Sequence, residues 1–249
     1  MAECREIIQW CDQQLATATF QDYAPNGLQV EGRQQVQKVV AAVTASLAAI
    51  EYAADIGADM LLVHHGMFWK SEPLTITGWK KQRIATLLQH QINLVGYHLP
   101  LDAHPEWGNN VQLAKKLGWE LEYRTGEQNL LNVGRLEQAQ SLPVLGANLA
   151  AVLGRDPILV GDMSKQINKL AWCTGGAQSF FQQAADLGVD AYITGEISEA
   201  QYHLAQETGV AFISAGHHAT ERYGVQALAQ AVQKQFGVEI YFFDQQNPA

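Results

Sequence analysis

Two adjacent histidines, His64 and His65, followed by Gly66, close the short apolar run Met60-Leu61-Leu62-Val63. That run reads as a β-strand, so both imidazoles stand at a strand's carboxyl end, where open α/β sheets place their ligand sites. Neighbours in an extended strand face opposite ways, but exit into a glycine loop relaxes the alternation and lets both rings reach one cleft. A second pattern is His98-Leu99-Pro100-Leu101-Asp102 and a third is His217-His218-Ala219-Thr220-Glu221. If a helix begins at His217, residues four apart share a face, and His217 and Glu221 converge. Pro100 disfavours helix at Leu99 and predicts a turn there. Imidazole nitrogen with carboxylate oxygen is a donor set for Zn, Mn, Fe, Co or Ni. His64, His65, Asp102, His217 and Glu221 exceed what one tetrahedral ion needs if positions stay open for water, and a carboxylate can bridge, so the count points to two divalent ions. The competing structural account makes His217 and Glu221 a helix-start pair and Asp102 a turn acceptor.

Such residues need a framework, and the pattern supplies one of alternating strands and helices. Strands are read at Val39 to Val43, Met60 to Val63, Ile92 to Gly96 and Trp119 to Tyr123, with helices at Leu47 to Ile56, Gln82 to Gln89 and Val111 to Lys116. Ala53-Ala54-Asp55-Ile56-Gly57-Ala58-Asp59 recurs as Ala184-Ala185-Asp186-Leu187-Gly188-Val189-Asp190, and Leu117-Gly118-Trp119-Glu120-Leu121 as Phe236-Gly237-Val238-Glu239-Ile240. Anchors that keep their order and spacing predict an internal duplication. In this alignment His98 to Asp102 matches His217 to Glu221, and Gly195-Glu196 occupies the place of His64-His65.

The expected fold is therefore α/β, with two repeated α/β halves and a dinuclear metal site in the cleft between them. Residues 1–124 form the first half, 169–249 the second, and 125–168 a bridging segment with strands at Leu131 to Leu136 and Ile158 to Val160 around a helix at Val144 to Leu153. Glu196 then approaches the cleft as general base to an attacking water, or as a carboxylate holding a ligand histidine by its second nitrogen. A helix cap near Ser198 is the structural alternative. His98 reads as an outer residue orienting a ligand or as a core histidine. Trp69, Lys70 and Glu72 form a rim after the histidine pair, where an aromatic beside a cation suits a purine nucleotide or ordinary loop packing. Cys173-Thr174-Gly175-Gly176-Ala177 reads as a tight strand-to-helix turn rather than a phosphate loop.

A chain of 249 residues with 47% hydrophobic content can bury a full core without staples. Its net charge of −9 argues against an extended nucleic-acid backbone as partner, although bound metal ions can reverse the local field for a free nucleotide. Cys4, Cys11 and Cys173 show no paired spacing, the segment after Met1 is polar, and no apolar run approaches bilayer length, which together predict a cytoplasmic protein with no membrane partner.

Leu62-Val63-His64-His65-Gly66-Met67-Phe68-Trp69, Gly96-Tyr97-His98-Leu99-Pro100-Leu101-Asp102-Ala103-His104 and Ser214-Ala215-Gly216-His217-His218-Ala219-Thr220-Glu221-Arg222 resemble the signature of the YbgI or Nif-three-like dinuclear-metal family. Pro25-Asn26-Gly27-Leu28-Gln29-Val30 is similar to that family's amino-terminal segment, so the resemblance covers nearly the whole chain. It implies the same five metal ligands, a homohexameric toroid, and the label GTP cyclohydrolase 1 type 2 homologue. The expected activity is metal-dependent hydrolysis of a nucleotide or related small molecule. The alternative is a non-catalytic metal-binding interaction or assembly protein.

Overall fold

A computed structural model describes residues 1–249. Its elements begin β1 (Ala2–Glu3), α1 (Cys4–Gln14), β2 (Gly27–Val30), β3 (Gln35–Val36), β4 (Lys38–Thr44), α2 (Leu47–Asp55), β5 (Met60–His65), α3 (Gly78–His90), β6 (Asn93–Gly96) and α4 (Leu99–Ala103). There follow α5 (Asn109–Leu117), β7 (Trp119–Thr125), β8 (Leu131–Ser141), α6 (Leu142–Leu153), β9 (Ile158–Val160), β10 (Gln166–Trp172), α7 (Phe181–Asp186) and β11 (Ala191–Thr194). The last are α8 (Glu199–Thr208), β12 (Ala211–Ser214), α9 (His217–Thr220), α10 (Arg222–Phe236) and β13 (Glu239–Phe243). No helix is long and apolar enough to cross a membrane.

Contacts divide the chain into two compact units, Met1–Trp107 with Gly224–Gln245 and Gly108–Tyr223 with Gln246–Ala249. The first unit holds a five-stranded sheet ordered β13-β4-β5-β6-β2, parallel except for the edge strand β2. Its inner strands are continuous apolar runs because helices cover both faces. Val39, Ala41, Met60 and Leu62 pack with Cys4, Ile7 and Cys11 of α1 and with Val225, Leu228 and Val232 of α10. Val40, Ala42, Leu61 and Val63, which alternate with them, pack against Ala49, Ile50 and Ala53 of α2 and Ile84 and Leu87 of α3. The second unit holds a six-stranded sheet ordered β7-β8-β10-β11-β12-β9, with β10, β11 and β12 parallel and the outer strands antiparallel.

The duplication extends to individual hydrogen bonds. Asp59 Oδ2 accepts from the amides of Gln37 and Lys38 at 2.9 and 3.0 Å, and Asp190 Oδ2 from those of Asn168 and Lys169 at 3.0 and 2.9 Å. Lys38 Nζ donates to Ile56 O and Lys169 Nζ to Leu187 O, each at 2.7 Å. Gly57 and Gly188 both have φ of 65°, the left-handed turn that glycine adopts at no steric cost. The ladders place Val63 opposite Gly96 and Thr194 opposite Ser214, so Gly195-Glu196 does follow the position matching Val63. They also correct the histidine alignment. Tyr97 N bonds Val63 O and Ala215 N bonds Thr194 O, which matches His98 to Gly216 and leaves His217 one residue further on.

The units do not follow the boundaries at 124/125 and 168/169 expected from the sequence, because strand pairing rather than chain order decides membership. β7 pairs with β8 of the second sheet, and β13 pairs with β4 of the first. Residues 125–168 are built into the second sheet, with β8 between β7 and β10 and β9 at the far edge beside β12.

Burial pushes the Asp59 carboxyl up, but the two amides and the Arg33 guanidinium outweigh it and hold it below its ordinary value. The resulting stabilisation is present above the ordinary carboxylate pKa and is lost as pH falls through the depressed folded value. Asp59→Ala should strip two amides of their acceptor and cost about 1–3 kcal/mol. Chemical denaturation across pH should show that loss at neutral pH and a flatter acid limb than wild type; unchanged stability would mean that water serves the amides equally well.

Candidate metal centre

In the first unit, β5 ends on the histidine pair. His64 is buried, and its Nδ1 lies 2.9 Å from Tyr97 O. A carbonyl only accepts, so Nδ1 carries the hydrogen and Nε2 the lone pair. That Nε2 faces Asp102 Oδ1 at 3.6 Å. The His65 ring centroid is 4.5 Å from that of His64, and its Nδ1 is 3.2 Å from Thr44 Oγ1. Both rings therefore reach one place, as expected for a strand ending in a glycine loop. Gln29 braces that loop, accepting from Met67 N and donating to Pro25 O, each at 2.7 Å. A side chain on Gly66 would run into the Gln29 amide.

Asp102 lies on α4, which is a helix and not the turn expected at Leu99. Pro100 falls in its first turn, where the missing amide hydrogen has no helical acceptor to lose. His98 N donates to Asn26 Oδ1 at 2.8 Å, and His98 Nδ1 to Asp22 Oδ1 at 2.7 Å. Asp22 Oδ2 also accepts from Asn26 Nδ2 at 2.9 Å and Leu99 N at 3.0 Å. Burial raises the Asp22 carboxyl, but the bond and charge of His98, with Asn26 and the Tyr23 amide, bring it down to about 2. Sequence reasoning missed Asp22: an aspartate in a polar loop, 76 residues before its partner, carries no local signal.

The rim residues are fixed in place. Trp69 meets the His98 ring edge-on at 5.0 Å, Lys70 Nζ donates to Asp22 O at 2.6 Å, and Glu72 pairs with the buried Lys80 at 2.9 Å.

In the second unit, α9 begins at His217, and Glu221 follows it at the helix end. His217 Nε2 is 3.1 Å from Glu221 Oε2, so the expected four-residue convergence is present. His217 Nδ1 donates to Glu196 Oε1 at 2.7 Å, so Nε2 is the nitrogen that shares a proton with Glu221 or, once that proton is displaced, binds a metal ion. Burial lowers the His217 pKa, but Glu221 and then Glu196 outweigh it and raise it to about 9. The loop Cys173 to Ala177, expected to be only a turn, wraps this pair. Gly175 has φ of 72°, and a Cβ there would collide with the Glu221 carboxylate. Its amide donates to Thr220 Oγ1 at 3.0 Å and its carbonyl accepts from Gly195 N at 2.8 Å.

In each unit a histidine nitrogen faces a buried carboxylate; between His217 and Glu221 a proton fills that place in the metal-free chain, and a divalent ion would take it over. A shared ion bonded to both at about 2.1 Å would hold nitrogen and oxygen roughly 3.0–3.6 Å apart for angles of about 90–120°. The observed 3.6 and 3.1 Å match, and 3.6 Å is too long for a good N–H···O bond. The donors therefore fit divalent transition ions. His104, by contrast, stacks on Trp107 at 4.4 Å and accepts from its amide, a structural role.

The model of the family described as Duf34/NIF3 (NGG1p interacting factor 3) matches residues 2–248. A protein of Neisseria meningitidis serogroup B named GTP cyclohydrolase 1 type 2 homolog is 62% identical, with both chains covered in full. One of the same name from Escherichia coli K12 is 49% identical over 98% of each chain. The solved structure of protein ybgI superposes with a TM-score of 0.97 at 47% identity, and that of a Thermus thermophilus protein with 0.90 at 34%, this chain and the neighbour being covered in full in each case.

Proposed function

Because the chain belongs to the Duf34/NIF3 family, we propose that it is a divalent-metal protein in which His64, His65, Asp102, His217 and Glu221 serve one pair of ions, and that it hydrolyses a nucleotide or related small molecule. The supporting observation is the placement of donors in each unit: the Nδ1 atoms of His64 and His217 are engaged by Tyr97 O and Glu196, and the opposite nitrogens face the buried carboxylates of Asp102 and Glu221. Zn, Fe, Mn, Co and Ni suit these donors. Bound divalent ions would lower the pKa of water and neutralise charge developing on the attacked centre. Opening of a purine ring is the specific reaction that the relatives' name suggests.

The protein's own groups do the positioning. Glu196 Oε1 orients His217, and Gln178 Nε2 holds the second oxygen at 3.3 Å, where it is placed to take a proton from water. Trp69 packs against the imidazoles of His65 and His98, with ring centroids 5.9 and 5.0 Å away. The family description's "interacting factor" favours a second reading, metal-dependent assembly without turnover. A nucleotide panel assayed with metal-loaded protein separates the two. Cys4, Cys11 and Cys173 are buried and form no disulfide, which fits the proposed cytoplasmic setting.

Elemental analysis of protein purified without chelator should give two equivalents of metal per chain, and Glu221→Ala should lower that number; one equivalent at full occupancy in every preparation would sink the pair. Glu196→Gln distinguishes its roles, because orienting His217 predicts ~10–100-fold weaker metal binding, whereas acting as base predicts unchanged binding with turnover lost. We propose a closed homohexamer from the family resemblance; mass in solution should be six times that of the chain, and a stable monomer at micromolar concentration would exclude it.

A further inference from the structure

His98 entered as an outer residue, yet its surroundings are those of a ligand. One nitrogen from each of His64, His65 and His98 lies within 4.8 Å of the other two. The ring centroids of His98 stand 5.2 Å from His64 and 5.8 Å from His65. The Nδ1 hydrogen of His98 is committed to a carboxylate, so its lone pair, like that of His64, sits on Nε2.

The Asp22–His98 pair repeats the build of Glu196–His217, with the same 2.7 Å bond. Its carboxylate is more deeply enclosed, at 4% side-chain exposure against 44% for Glu196. A buried carboxylate held by four hydrogen bonds, two from His98 Nδ1 and Leu99 N and two from Asn26 Nδ2 and Tyr23 N, fixes ring direction and raises imidazole basicity, as outer partners of metal-bound histidines do. Core packing alone requires neither effect. Three converging imidazoles form a soft-to-intermediate donor set that selects Zn, Co, Ni or Cu over Mg or Ca, and three histidines with an open position are a known catalytic zinc arrangement.

We propose that His98 is itself a ligand, so that His64, His65 and His98 form a metal site contained in the first unit that fills without His217 or Glu221. The proposal deepens the reading above and rests on it only in taking the histidine pair as metal ligands. It implies an order of loading, with the three-imidazole site occupied first.

The test uses the full chain carrying His217→Ala and Glu221→Ala, titrated with Zn²⁺ by calorimetry and with Co²⁺ by visible absorption. The expected result is one equivalent bound, with cobalt bands typical of nitrogen ligation. Adding His98→Asn, which keeps a donor for Asp22 but removes Nε2, should weaken that ion by more than the ~10–100-fold expected from loss of an outer partner. Asp22→Asn should stay within that range. Circular dichroism of each variant reports folding, and His98→Gln repeats the measurement if the asparagine variant fails to fold. A double variant that binds no ion, or an His98 variant whose affinity stays within the outer-partner range, overturns the proposal. A wild-type protein holding a single ion would instead overturn the dinuclear reading and leave this one standing.

Discussion

A neutral histidine presents a lone pair at Nε2 only when another group takes the hydrogen on Nδ1. Much of this structure meets that condition. Tyr97 O does so for His64, Asp22 for His98 and Glu196 for His217. Each acceptor is then held by something further back. Tyr97 is fully buried, and its hydroxyl donates to Asp12 Oδ1 at 3.0 Å, which ties α1 to the direction of the His64 ring. Glu196 stands at the carboxyl end of β11, the strand that pairs with β10 and β12. Sheets, helices and loops are thus arranged so that the Nδ1 hydrogens are held in place and Nε2 is the nitrogen turned toward the site.

The two copies share a backbone and divide the chemistry. Continuing the matched registers, Thr44 of β4 falls where the second copy has Gly175. In the first copy a hydroxyl meets His65; in the second, the same place is emptied so that the Glu221 carboxylate can enter. His65 likewise stands where the second copy has Glu196. Duplication supplied two equivalent strand ends, and substitution at a few positions made one of them imidazole-rich and the other a carboxylate–imidazole–carboxylate row.

Legibility followed the range of the interactions. The repeat was readable because its determinants, the glycine turn and the aspartate that caps the preceding strand's amides, lie within about two dozen residues of each other and fall in a fixed order. His217 and Glu221 were readable because helix geometry brings residues four apart together. Asp22 was not, because its partner His98 lies 76 residues further along the chain. Helix α1 was missed because its buried Cys4, Ile7 and Cys11 are interleaved with Arg5, Glu6, Gln9 and Asp12, a sparse stripe that becomes apolar only against β4 and β5. The one-residue offset between His98 and His217 escaped notice because both precede an acid by the same spacing, a similarity that ladder register does not respect.

The route of the chain through its two sheets bears on how it is made. The second sheet is encoded without interruption by Trp119 to Ser214, whereas the first needs β13, from Glu239–Phe243, beside β4. On a ribosome the apolar edge Val39 to Val43 therefore emerges roughly two hundred residues before its partner, which at a typical synthesis rate of about 5–20 residues per second leaves it open for roughly 10–40 s. An open apolar strand edge is a template for pairing with other chains. Until β13 arrives that edge has no strand of its own chain to pair with, so the sheet begun first in synthesis is the one completed last.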